Sequence, residues 1–231
     1  STDSGYATVD RNKFSHSGTD EAPTQAQVDL SSSDTPYTLG FRKAYKITNG
    51  NQTSGAGADD YIKFQHNVEA QNVNASGWNF TSSSSFITLS FWCKSSVAQS
   101  FQAYFETADT TKQAYVFETG SLSADTWTKN KTGSNTLNQW KEYNSSNLHA
   151  ASATTWYTTN DATFEITGLQ LEVGPQATAF EHRSFGEELR LCERYCETIF
   201  QGESNGAYMN NSVAYGTNQM YSIIRFRTPK R

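Results

Sequence analysis

Charge is scarce in this chain. Asp, Glu, Lys and Arg together make up 18% of its 231 residues, and the net charge is −5. That balance leaves no basic stripe to hold nucleic acid or an anionic bilayer, so neither is expected as a partner. Long hydrophobic runs are missing as well. No segment approaches the roughly 20 apolar residues that span a membrane, so no membrane insertion is expected. The chain has no start methionine or signal peptide, which reads as a fragment, a processed form or an intracellularly assembled product. The three cysteines say little about compartment. Cys93 falls in an expected core strand, and Cys192 and Cys196 share one helix face where a disulfide is geometrically awkward, so buried thiols are the expectation.

Catalytic signatures are equally thin. There is no G-x-S-x-G, H-E-x-x-H, C-x-x-C or phosphate-cradling glycine run. Histidines at 16, 66, 149 and 182 are scattered, and His66 reads as a satisfied strand histidine because no partners stand at metal-ligand spacing. Glycoside hydrolysis needs two carboxylates across a cleft. Glu106 and Glu118 lie on neighbouring expected strands, but with 23 acidic residues such a pair arises by chance. No catalytic residue, metal site or cofactor is expected.

What the chain does have is Ser, Thr, Asn and Gln in quantity, with 13% aromatic residues. That mixture suits a β protein with aromatic packing and neutral polar loops. Residues 86–94 give the clearest strand. Ile87, Leu89, Phe91 and Cys93 share one face, while Thr88, Ser90, Trp92 and Lys94 share the other. The first set is expected in the core. Strands are also expected at 6–9, 26–30, 41–47, 61–73, 101–106, 113–118, 126–131, 139–143 and 220–226. Trp127 is expected in the core. Exposed loops are expected at 48–60, 74–85, 133–138 and 144–162, the last holding His149, Trp156 and Tyr157.

Residues 164–199 organise the rest. Phe164 and Ile166 share one parity, and Leu169 and Leu171 the other. A phase change at Thr167-Gly168 predicts a β-bulge, and Gly174-Pro175 ends the strand. Ser184 followed by Glu187 fits a capping box and predicts a helix from there to 199. Its apolar residues Phe185, Leu189, Cys192, Cys196 and Ile199 are spaced four, three, four and three apart, a single stripe suited to packing on another surface or on symmetry mates. The fold class is therefore all-β: an antiparallel sandwich over 1–173 with Leu89, Phe91, Leu169 and Leu171 in its core, a linker and helix over 174–200, and a small C-terminal β region over 201–231.

The run ITGLQLEVGPQATAFEHRSFGEELRLCERYC (166–196) resembles a signature of tail-fibre and other virion structural proteins of tailed bacteriophages. There a last strand ending in LQLEVG closes a jelly roll similar to carbohydrate-binding modules, and an FE-x-RS-Y/F-GEEL-x-LC-x-RY segment follows. FITLSFWCKSS (86–96) resembles the family's central strand, and SADTWTK (123–129) and YIKFQHNVEAQN (61–72) resemble its neighbours. Tyr6 with Asp10-Arg11 is more loosely similar to the opening strand. The resemblance implies a jelly roll on the virion exterior, assembled in the host cytoplasm, with other virion proteins as partners and chain continuing beyond Arg231. It implies a homotrimer through the Phe185–Ile199 stripe and a tail-fibre module that recognises host-surface polysaccharide. A capsid decoration or connector protein is the alternative. The expected glycan face centres on Trp92, with Tyr104 and Tyr115 as same-sheet partners and Trp156 and Tyr157 closing one end.

Overall fold

The computed structural model describes residues 4–5, 12–79, 81–108, 110–131, 140–143, 153–194, 212–214, 220–222 and 227. The chain divides into two compact units, 1–180 and 181–231. The first contains β1 (Asn12–Ser17), β2 (Thr24–Asp29), α1 (Thr35–Thr38), β3 (Lys43–Thr48), β4 (Tyr61–His66), α2 (Ala70–Ala75), β5 (Ile87–Ser95), β6 (Gln102–Glu106), β7 (Gln113–Glu118), β8 (Thr128–Lys131), β9 (Lys141–Glu142), α3 (Thr155–Thr158) and β10 (Thr163–Val173). The second contains α4 (Phe185–Glu193) and the paired strands β11 (Ser212–Ala214) and β12 (Met220–Ser222). The expected strand at 6–9, the loop 133–138, His149, the end of the 220–226 strand, Cys196 and Ile199 lie outside the described residues.

Strand pairing is antiparallel throughout. One five-stranded sheet runs β2-β3-β10-β5-β8, with a β1-β4 pair and a three-stranded β6-β7-β9 sheet beside it. Alternation explains why these pieces meet. Tyr45 and Ile47 of β3, Phe91 and Cys93 of β5, and Phe164 and Ile166 of β10 send their side chains to one side of the large sheet. Phe14 of β1, Ile62 and Phe64 of β4, and Ala103, Phe105 and Phe117 of β6 and β7 join them in a single hydrophobic core. Cys93 is fully buried in it, and Asn130 Nδ2 donates to its Sγ at 3.0 Å. Burial pushes that thiol up to about 12, against a smaller downward pull from Asn130.

The bulge lies where the phase change predicts it, with the β10–β5 register shifting between Thr167 and Gln170. Gly168 there has a φ of 62°, and a Cβ would stand 2.7 Å from the Phe41 ring. Glycine is thus required twice, by conformation and by contact. Beyond the bulge, the expected core positions Leu169 and Leu171 are exposed, Leu171 by 39%. Leu171 pairs with Leu89 and Val173 with Ile87, so this end of β10 continues the apolar side of the sheet past the residues that cover it. The apolar pattern of β10 encodes which side of the sheet each residue takes, and its cover is set by other strands.

Three further expectations are corrected. The strand at 61–73 ends at His66, and 70–75 form α2. The loop 48–60 is anchored rather than wholly exposed, because Asn49 and Gln52 are buried. The stretch 174–180, read as linker, belongs with the first unit: Phe180 meets Phe41 edge-on at 4.7 Å, and Thr178 Oγ1 donates to Glu172 Oε1 at 2.7 Å.

In the second unit, Ser184 and Glu187 form the predicted capping box. Along α4, Phe185 is 83% exposed, Leu189 is exposed and Cys192 is half-buried.

Candidate functional site

Trp92 does stand on the side of β5 away from the core. That side is covered. Leu30, Phe41, Ala44 and Trp127 form a second buried cluster there, and Trp92, Tyr37, Val28 and Phe180 pack against it. Trp127 is buried as expected, but in this outer cluster with Trp92 rather than in the main core. Its Nε1 donates to Asp34 Oδ1 at 2.8 Å. Lys94 Nζ lies 3.2 Å from Glu165 Oε2 and 5.0 Å from the centre of the Trp127 ring. Thr88 and Ser90 on the same side are buried, and Thr88 Oγ1 donates to Gly174 O at 2.7 Å. Residues 30–41 and 174–180 therefore occupy the surface that alternation alone leaves open.

The other expected ligand residues are not brought to Trp92. Tyr104 and Tyr115 belong to the three-stranded sheet, not to that of Trp92. They also lie on opposite faces of it. Tyr115 pairs with Phe105 and packs against the core, whereas Tyr104 pairs with Val116 on the outside. Trp156 is a core residue whose Nε1 donates to Thr163 O at 3.0 Å. Tyr157 donates to Gly18 O at 3.1 Å, and burial with the nearby Asp60 and Asp20 raises its hydroxyl to about 12. The polar loop thus commits Trp156 to the core through the short helix α3 and ties Tyr157 to Gly18 O.

Glu106 and Glu118 do not face each other. Glu106 pairs with Ala114 at one end of the β6–β7 ribbon, and Glu118 with Gln102 at the other. His66 Nδ1 is 3.2 Å from Asn12 Oδ1.

Other aromatic residues do stand on the outer sides of β4 and β6 and after β9. Ile62 and Phe64 turn into the core, so alternation sends Tyr61 and Lys63 outward. Ala103 and Phe105 do the same for Tyr104. Tyr143 follows β9, its N–H donating to Lys112 O at 2.8 Å. Burial raises the Tyr104 hydroxyl pKa, and the charges of Glu106, Tyr143 and Tyr61 add to the rise. Lys112 Nζ lies 2.7 Å from Glu106 Oε1 and 5.4 Å from the centre of the Tyr143 ring. Lys63 Nζ is 5.2 Å from the centre of the Tyr61 ring. Gln102 Nε2 donates to Glu118 Oε1 at 3.3 Å on the same outer face.

Chemically, these residues offer flat ring faces beside hydroxyl, amide, ammonium and carboxylate groups. Such groups are of the chemical kind that can meet the C–H face of a sugar ring and its hydroxyls. Of the sequence-predicted residues only Tyr104 is among them. Tyr61 was legible, since it opens a strand on the parity opposite Ile62 and Phe64. Tyr143 was not, because β9 is too short to show a period. Comparison with protein-family models, curated proteins and solved structures finds no match.

Proposed function

We propose that this chain is a tail-fibre module of a tailed-bacteriophage virion, a jelly roll on the particle exterior that holds host-surface glycan on its Tyr61–Tyr104–Tyr143 face. The observation that carries the glycan reading is that Tyr61 and Tyr104 stand on the sides of their strands away from the core, with Lys63 over the Tyr61 ring and Lys112 between Glu106 and the Tyr143 ring. The virion reading is supported by the 166–196 run, whose bulge and capping box both take the form that its residues dictate. The Trp92 side is filled by packing, which favours one alternative, a decoration or connector protein whose jelly roll is purely structural.

A screen of the 231-residue chain against bacterial surface polysaccharides separates the two readings. The glycan reading expects at least one to bind; binding to none leaves the structural alternative. The module assembles as a homotrimer through α4, a reading supported by exposed Phe185 and Leu189 on one stripe. Sedimentation at micromolar concentration is expected to return three times the 25.7 kDa chain mass, with Leu189→Asp returning the monomer. A wild-type monomer would remove the trimer.

A further inference from the structure

Past its bulge, β10 has a strand beside it on one edge only. Its pairing with β3 runs from Thr163↔Thr48 to Ile166↔Tyr45 and stops there. Its pairing with β5 resumes at Gln170↔Ser90 and continues to Val173↔Ile87. Among the described residues, no strand pairs with 169–173 on the edge away from β5.

The backbone groups along that edge follow from parity. In an antiparallel strand the N–H and C=O of one residue point to one edge, and those of the next residue to the other. Gly174 N–H donates to Phe86 O at 2.8 Å, on the β5 side. Counting back, Glu172 and Gln170 turn the same way, while Val173, Leu171 and Leu169 turn their backbone groups to the far edge. The bulge causes this. Before it the odd-numbered residues face β5, as the Thr163 C=O shows by accepting from Ser96 N–H at 3.0 Å.

The side chains of the same three residues are exposed, alternating with the better-covered Gln170 and Glu172. Those two take the opposite side, where Glu172 holds Thr178 and Gln170 Nε2 donates to Ala179 O at 3.3 Å. Open backbone groups beside an apolar row make a template for another strand. The segment is also its own complement. LQLEV runs apolar, polar, apolar, polar, apolar in either direction, with Leu171 at its middle. Antiparallel pairing about a twofold axis sets Leu171 opposite its counterpart and Leu169 opposite Val173, so the apolar row continues across the axis. Glu172 then faces an amide, Gln170, and no like charges are directly opposed.

We infer that 169–173 is an edge-to-edge contact between two copies of this chain, the sheet of one continuing through β10 into the sheet of the other. The inference does not depend on the glycan reading. A five-residue edge is small beside the roughly 1,000 Å² that a stable interface buries. The contact therefore forms where copies are crowded, and the state at micromolar concentration is left to α4.

Disulfide trapping in the full chain tests it. Residues directly opposite in a hydrogen-bonded antiparallel pair have Cα atoms about 5.5 Å apart, within reach of a disulfide. Leu171→Cys at millimolar concentration with oxidised glutathione is expected to give a dimer, with peptide mapping placing the bond between position 171 of both copies. Leu169→Cys is expected not to bond its own counterpart, which lies roughly 13 Å away along the paired strand. Mixed with Val173→Cys, it is expected to bond that chain. The bond at 171 is expected to survive in Leu189→Asp, since the contact does not use α4. Leu171→Lys sets like charges across the axis, and sedimentation at millimolar concentration is expected to show the association of wild type lost in it. No bond at 171 in the folded protein overturns the inference. So does equal self-bonding at 169 and 171, which chance collisions would give, or loss of the bond at 171 in Leu189→Asp. Unchanged association of folded Leu171→Lys also overturns it.

Discussion

Asn49→Asp is expected to destabilise the protein severely at neutral pH. The Asn49 side chain is buried, and its Nδ2 faces the carbonyl oxygens of Trp156 at 3.2 Å, Tyr157 at 2.5 Å and Thr159 at 3.1 Å. Its Oδ1 accepts from Gln52 Nε2 at 3.2 Å, and its backbone N–H donates to Ala162 O at 2.8 Å. One amide therefore ties the end of β3 to α3 and carries Trp156 into the core. An aspartate at 49 would be nearly isosteric but would turn a donor into an acceptor facing three acceptors. An uncompensated buried charge costs about 3–5 kcal/mol, and in a chain of this size that lowers the melting temperature by roughly 6–20 °C.

The effect has a pH signature with a definite sign. Burial and the surrounding carbonyls disfavour the ionised acid, so its folded-state pKa lies above its unfolded value of about 3.9. Stability of the variant is therefore greatest below that unfolded value and falls as pH rises toward the folded one. Thermal melts of variant and wild type at pH 4 and pH 7 measure this, with the smaller deficit expected at pH 4. Equal deficits at both values would mean that residue 49 is not enclosed by those carbonyls.

Phe14→Ala is expected to cost about 3–5 kcal/mol, the range for emptying a fully packed aromatic site. Phe14 is 0% exposed and belongs to the core that joins β1 and β4 to the large sheet. Phe86, one residue before β5, is 52% exposed, and Phe86→Ala should stay within about 0.5 kcal/mol. Leu171→Ala is the sharper comparison. Alternation places Leu171 on the core side, yet it is largely uncovered, so its truncation should cost well under the 2 kcal/mol or more typical of a buried leucine. Chemical denaturation of the three variants measures the order. A loss at Leu171 equal to that at Phe14 would mean that the end of β10 is covered in solution.

That comparison also marks how far the sequence reaches. The alternation of β5, the bulge at Gly168 and the Ser184–Glu187 box each follow from neighbours within a few residues, and each was legible. Burial of Asn49 was not, because its partners lie more than a hundred residues away in a stretch that reads as polar loop. The same holds for Trp92. Its parity is local and legible, while the cover over it comes from 30–41 and from Phe180. Tyr104 and Tyr115 differ in position by an odd number and sit on different strands, so their relative facing depends on the β6–β7 register, which no local pattern encodes. Composition did report the general chemistry of the surface, neutral polar groups with aromatic rings, without saying which rings would remain outside.

The central claim is that glycan is held at the outward tyrosines and not at Trp92. Isothermal titration of the full chain with its best-bound host polysaccharide fragment, in wild type and in Tyr104→Ala, tests it most directly. The account predicts a loss of about 1–3 kcal/mol of affinity, as for other central aromatic contacts, with the melting temperature nearly unchanged. Unaltered affinity in a folded Tyr104→Ala protein would contradict it.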